Sequence, residues 1–316
     1  MNQAGTRGGW RWMALVAALL LAGAAAWWLG HGGRWRAAPT VAVRGGDGGG
    51  LPRAMPAEEG FDAAALDAAL ALAREQGMRA FIVSRHGHVV LADYAHGYDA
   101  QTTADAGGFA AALVALAAGA ARGEGLVDDA AVADFDPPRL AAAIAVGARM
   151  SYPEFLSRDV WQPLNAAAAA IELPAAGAVA PADCCMIARV SDWMRVAELL
   201  LNAGRFEGTQ IAPPEWVRRM PAARDASRER GWGVWLASSA HGAEPFAADG
   251  VFYLKGHGRW RLWMAPTLGI AVLFAAGGAD DAGWDETRIP NRVFRALSVR
   301  PTIPGHPSLS DIVPGH

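Results

Sequence analysis

Residues 109–121 read FAAALVALAAGAA, with neither a charge nor a hydrogen-bonding side chain. Alanine and leucine are the strongest helix formers, and Gly123 and Gly125 supply a stop just beyond them. A helix that is apolar around its whole circumference is stable only when other elements surround it. The rest of the fold must therefore form a shell around this segment. A chain of 316 residues has the length for that, as one large domain or two modest ones.

The shell can be read from periodicity. Asp62 is placed to cap a helix that carries Leu66, Leu70 and Leu72 and ends near Gly77. Two β-prone runs follow, residues 80–84 and 89–94, with Gly87 and His88 as the turn between them. Residues 139–220 read as helical, with segments at 152–160, 191–201 and 213–220, and no strand is required there. Three strand-like runs come last, 231–236, 260–264 and 270–274, before an amphipathic helix over 284–297. An early hairpin and three late strands must pair to cover their edges. The expected fold is therefore α+β, an antiparallel sheet flanked by N- and C-terminal helices, with the central helices as a reduced all-helical lobe.

Ahead of this domain, residues 13–30 carry no charge, and Trp10, Trp12, Trp27 and Trp28 stand at the edges of the run. At about 1.5 Å per residue, residues 10–29 are long enough to cross a bilayer core of about 30 Å. The expectation is a single-pass anchor over 10–30 behind a short basic N-terminus, residues 1–9. The alternative is a cleaved leader, with Arg7 and Arg11 as its basic end and Ala22-Gly23-Ala24 as its cleavage site. Residues 31–54 are rich in Gly and Pro and read as a tether, so that the folded domain spans 55–300. Residues 301–316, with Pro301, Pro304, Pro307 and Pro314, read as a tail.

Composition removes several functions. A formal net charge of -3 offers no cationic footprint for nucleic acid. The only lysine in the chain is Lys255. Cys184 and Cys185 are adjacent, which supports neither a disulfide framework nor a metal cluster, and they read as small buried fillers. His86 and His88 flank a turn with no third ligand close in sequence, so no metal or other cofactor is expected. Asp128-Asp129 and Asp280-Asp281 read as helix-end or turn residues.

Several strings resemble the serine β-lactamase and penicillin-binding-protein-like family, in particular its class C-like esterase and 6-aminohexanoate-dimer-hydrolase branch. Residues 123–129, GEGLVDD, resemble the end of that family's nucleophile helix, and residues 152–164, YPEFLSRDVWQPL, resemble its central-lobe helix. Residues 188–193, ARVSDW, continuing through LNAGRFEG and PEWV, are similar to a further family stretch, and residues 252–273 to its late strands. The resemblance covers residues 56–298 and implies a β-lactamase/transpeptidase-like fold on the non-cytoplasmic side of a membrane.

The catalytic motifs that the resemblance implies are missing. The family's Ser-x-x-Lys supplies a nucleophile and its base, and counting from Phe109 places these positions at Ala104 and Gly107. No tyrosine begins a Tyr-x-Asn motif, and Ser191-Asp192 continues with Trp193. The sheet-edge motif survives in approximate form as Lys255-Gly256-His257-Gly258, which makes Lys255 and His257 the candidate binders of a carboxylate-bearing peptide or cell-wall fragment. The expected function is thus a membrane-anchored pseudoenzyme serving as a binding or scaffold module. The alternative is an active hydrolase of esters, amides or β-lactams with an unrecognised nucleophile, for which Thr102 and Thr103 are the candidates.

Overall fold

A computed structural model of the chain describes residues 38–298 except 225 and 279–282. The anchor over 10–30, the tail over 301–316 and Asp280-Asp281 lie outside the described residues. Among the described residues no helix is long and apolar enough to cross a membrane.

In chain order the elements are β1 (Thr40–Val43), α1 (Ala63–Glu75), β2 (Met78–Arg85), β3 (His88–Tyr94), β4 (Thr103–Asp105), α2 (Ala110–Gly123), α3 (Pro137–Ala148) and α4 (Tyr152–Leu156). There follow β5 (Ala169–Glu172), β6 (Met186–Arg189), α5 (Trp193–Leu201), β7 (Arg205–Phe206), β8 (Thr209–Gln210) and α6 (Pro214–Arg219). The last are β9 (Trp235–Leu236), β10 (Phe252–Lys255), β11 (Arg261–Ala265), β12 (Ile270–Ala276) and α7 (Arg288–Arg295).

The main sheet is antiparallel with strand order β3-β2-β12-β11-β10-β9. Alternation along its strands divides the core in two. Phe81, Val83, Val272 and Phe274 face one side and pack with Leu66, Leu72, Val293 and Phe294 of α1 and α7. Ala80, Ile82, Ala271 and Leu273 face the other and pack with the α2 side. Because both faces are covered, β12 reads IAVLFAA, with every residue buried. Asp62 caps α1 as expected, its Oδ1 accepting from the Ala65 amide at 2.7 Å. The hairpin turn falls on His86 and Gly87, with φ of 48° and 84°, one residue before the expected pair.

Helix α2 is enclosed on every side, as its sequence requires: residues 112–119 are all buried. Gly119 is where α2 meets Trp216 of α6, for a Cβ there would lie 2.2 Å from the indole, whose Nε1 donates to the Ala115 carbonyl at 2.8 Å.

Three expectations are corrected. The lobe is not all-helical, because β1, β5, β6 and β4 form a second, four-stranded sheet in that order. These strands are only 3–4 residues long and alanine-rich, such as TAD and AAIE, so they carry little of the β-branched pattern that marks a strand. Folded structure begins at Thr40 rather than near residue 55, because TVAV pairs antiparallel with β5. Gly45 and Gly46 after it serve close packing: a Cβ on Gly45 would lie 2.3 Å from the Ala166 carbonyl oxygen and one on Gly46 2.8 Å from Asn165 Oδ1. Finally, Cys184 and Cys185 are disulfide-bonded to each other and half-buried. Cys185 adopts a φ of 66°, a left-handed conformation that the sequence gives no means of foreseeing.

Candidate functional site

The Ala104 and Gly107 positions lie where the second sheet hands over to the buried helix. Ala104 is paired with Ala188 in the β4–β6 ladder, so its backbone is extended. After Asp105 the chain turns sharply. The Asp105 Oδ1 accepts from the Gly107 amide at 2.8 Å, and Gly107 takes a φ of 60° to open a short 3₁₀ turn, Gly107–Phe109, that leads into α2.

Against this turn lies the end of β10. The Nε2 of His257 is 3.1 Å from Asp105 Oδ2, so that Asp105 ties both the turn and the imidazole. The contact is close along its length. A Cβ on Gly107 would lie 2.9 Å from three atoms of the His257 ring, one on Gly108 2.6 Å from the Lys255 carbonyl oxygen, and one on Gly256 2.3 Å from the Ala106 carbonyl oxygen. Beneath it, Phe109 packs edge-on to Trp193 and Trp260, with ring centroids 5.3 and 6.4 Å apart.

Lys255 and His257 do not converge. His257 faces Asp105, whereas the Lys255 ammonium lies 4.0 Å from Glu286 Oε1 and 5.5 Å from the centroid of the Trp235 ring. Glu286 is buried and also holds the buried Arg261, whose Nε donates to Oε1 at 2.6 Å. Arg261 in turn donates to the carbonyls of Gly258 and Trp260, which fixes the turn that carries His257. The sequence reading missed Asp105 and Glu286. The Asp-x-Gly spacing of Asp105 and Gly107 is a local turn signal for the first, and no local signal marks the second.

The other candidates serve structure. Thr102 Oγ1 donates to Asp99 Oδ1 at 2.9 Å, and its hydroxyl accepts from the Asp99 amide, closing a turn that holds the Asp99 carboxyl below its ordinary range. Thr103 is exposed on β4. Asp128 accepts from the Ala131 amide and Asp129 pairs with Arg122. His86 and His88 do acquire a shared neighbour, since Glu59 places one carboxylate oxygen 3.0 Å from His86 Nδ1 and the other 2.9 Å from His88 Nδ1. Nearby, Glu198 accepts from Ser84 Oγ at 2.7 Å, and burial holds its carboxyl above the ordinary range. Among the described residues no group of three or more His, Cys, Asp or Glu side chains is placed to hold a metal ion.

No family model and no curated protein matches the chain in sequence. Solved structures do match in three dimensions. A protein assigned as a 6-aminohexanoate-dimer hydrolase from Bacillus anthracis aligns over 83% of this chain and 89% of its own, with a TM-score of 0.61 at 13% identity. A family VIII carboxylesterase aligns over 78% and 99%, with a TM-score of 0.60 at 13% identity. A β-lactamase from Mycobacterium bovis aligns over 73% and 100%, with a TM-score of 0.57 at 14% identity. The chain has the serine β-lactamase/penicillin-binding-protein-like fold. In this β-lactamase-like frame, Gly107 and Lys255-Gly256-His257-Gly258 are neighbours in space. Gly107 meets the His257 ring, and its neighbours Gly108 and Ala106 lie against the backbone of Lys255 and Gly256.

Proposed function

We propose that this chain is a non-catalytic member of its fold class, a binding or scaffold module whose anchor is the apolar segment over residues 10–30. The observation that carries the reading is the His257 ring, which fills the space that any side chain at position 107 would enter. A serine hydroxyl reacts only when a neighbouring group takes its proton. At the positions implied for that pair stand Ala104 and Gly107, and the only lysine of the chain is drawn to Glu286. The similar structures are named as hydrolases. One observation favours activity here as well: Asp105 and His257 have the spacing of a base and its orienting carboxylate, so a hydrolase with an unrecognised nucleophile is the second reading.

Turnover separates the two. With p-nitrophenyl butyrate and with nitrocefin, the full chain is expected to release chromophore at the rate of the protein-free blank. Steady release proportional to protein and lost in His257→Ala would overturn the non-catalytic reading.

A further inference from the structure

Away from Asp105 and His257, the edge of the main sheet and the start of α5 enclose a pocket of ≈ 150 Å³, lined also by the glycines at 48–50. A cavity of about 150 Å³ is large enough for a molecule the size of benzene. Ile82 of β2, Val89 and Ala92 of β3 and Met194 of α5 give it an apolar wall.

The charged lining is unbalanced, with Arg53, Arg189 and Arg195 set against one carboxylate, Asp192. Arg195 and Asp192 satisfy each other: the Arg195 Nε donates to Asp192 Oδ1 at 3.2 Å, and Oδ2 takes the Ala167 amide at 2.9 Å. Arg189 gives one hydrogen bond to the Gly48 carbonyl at 2.7 Å and stands 4.0 Å from Asp192. Arg53 is exposed, and among the described residues its side chain has neither a hydrogen bond nor an ion pair. Its backbone is nonetheless fixed beside β3, because the Val89 amide donates to the Pro52 carbonyl at 2.8 Å and the Ala54 amide to the Val89 carbonyl at 3.2 Å. Tyr94 of β3 lines the same space. It is half-buried, and its hydroxyl is neither hydrogen-bonded among the described residues nor sealed from solvent. Burial raises its phenol above the ordinary range against the opposing charges of Arg53 and Arg189, which lie close enough to act on it, so the hydroxyl is a neutral donor. The nearby Asp99 carboxylate is committed to its own turn, where it accepts from Thr102 Oγ1 and the Gln101 amide. Two guanidiniums and a phenol are thus left to meet an anion at the mouth of an apolar pocket.

We propose that this pocket binds a small monocarboxylate with a compact apolar group, its carboxylate held by Arg53, Arg189 and the Tyr94 hydroxyl and its apolar part set against Ile82, Val89, Ala92 and Met194. A guanidinium fork suits carboxylate and phosphate alike. The aliphatic wall favours the carboxylate, because inorganic phosphate has no apolar surface to bury there. The site shares no residue with Ala104, Gly107 and His257, so it stands whether or not the domain hydrolyses anything.

Calorimetry on the full chain with sodium benzoate, benzamide and inorganic phosphate, at fixed ionic strength, tests it. Benzoate is expected to bind with one-to-one stoichiometry, and benzamide and phosphate about tenfold more weakly or worse. Arg53→Gln should weaken benzoate about tenfold, the worth of one charge-assisted contact. Tyr94→Phe should weaken it about three- to tenfold. Neither variant is expected to lower Tm, because neither the guanidinium nor the hydroxyl has a partner to lose among the described residues. The proposal is overturned by the absence of benzoate binding, by benzamide binding as tightly as benzoate, or by unchanged benzoate affinity in Arg53→Gln or Tyr94→Phe. Phosphate binding more tightly than benzoate would also overturn it, since the ligand would then be a phosphoryl group.

Discussion

Glu286→Gln is expected to lower stability by about 3–5 kcal/mol, the usual cost of removing one partner from a buried ion pair. The substitution is nearly isosteric, so the loss is one of charge. Arg261 has no exposed surface, stacks over Trp284 at 5.0 Å, and would lose the Glu286 carboxylate from its buried guanidinium. Lys255 would lose the same neighbour. At about 2–4 °C per kcal/mol for a domain of this size, the fall in Tm is easily read by calorimetry. Arg261→Met combined with Glu286→Leu should recover much of it, because a buried pair replaced by apolar groups is often neutral. The single variant is also expected to loosen the turn that carries His257, since Arg261 holds the Gly258 and Trp260 carbonyls. Equal stability of Glu286→Gln and the wild-type chain would contradict this description of the core.

Writing the family's pair back into the chain is expected to damage it rather than restore a hydrolase. In Ala104→Ser/Gly107→Lys, the lysine would be forced to a φ of 60°, a strain of about 1–3 kcal/mol. Its Cβ would also meet the His257 ring, with an overpacking cost of about 1–3 kcal/mol. The serine would start from an extended strand paired to Ala188 rather than from a helix turn, so the two side chains would not be presented as a nucleophile and its base. The expected outcome is a lower Tm and chromogenic ester turnover equal to the blank. Adding His257→Ala should return the overpacking part of the stability and leave the strain. Turnover well above the blank in the double variant would show that the helix start can still assemble a catalytic pair.

Much of the frame was legible because it rests on periodicity and on burial. The unbroken apolar run of α2 demanded enclosure, Asp62 and the leucines after it specified α1, and the short β-prone apolar runs of β2 and β12 specified strands. The second sheet was not legible. Ala42 pairs with Ala170 and Ala104 with Ala188 across it, side chains too small to distinguish a strand from a helix or a loop. Gly45 and Gly46 could signal either flexibility or close approach, and only the positions of Ala166 and Asn165 decide between them. At the candidate site, Lys255 and His257 were visible as polar residues in a glycine-rich string, yet their separation was not. Asp105 stands 152 residues from His257, and Glu286 is drawn in by Arg261, contacts that exist only once β10 and β11 are paired.

The central claim is that no activated nucleophile exists in this domain, and the intact mass of the full chain after incubation with a fluorophosphonate and, separately, with a penicillin tests it most directly. The account predicts unmodified mass with both reagents on folded protein. A stoichiometric adduct, mapped by peptide sequencing to a single serine or threonine, would contradict it and make His257 with Asp105 the first candidate for the base.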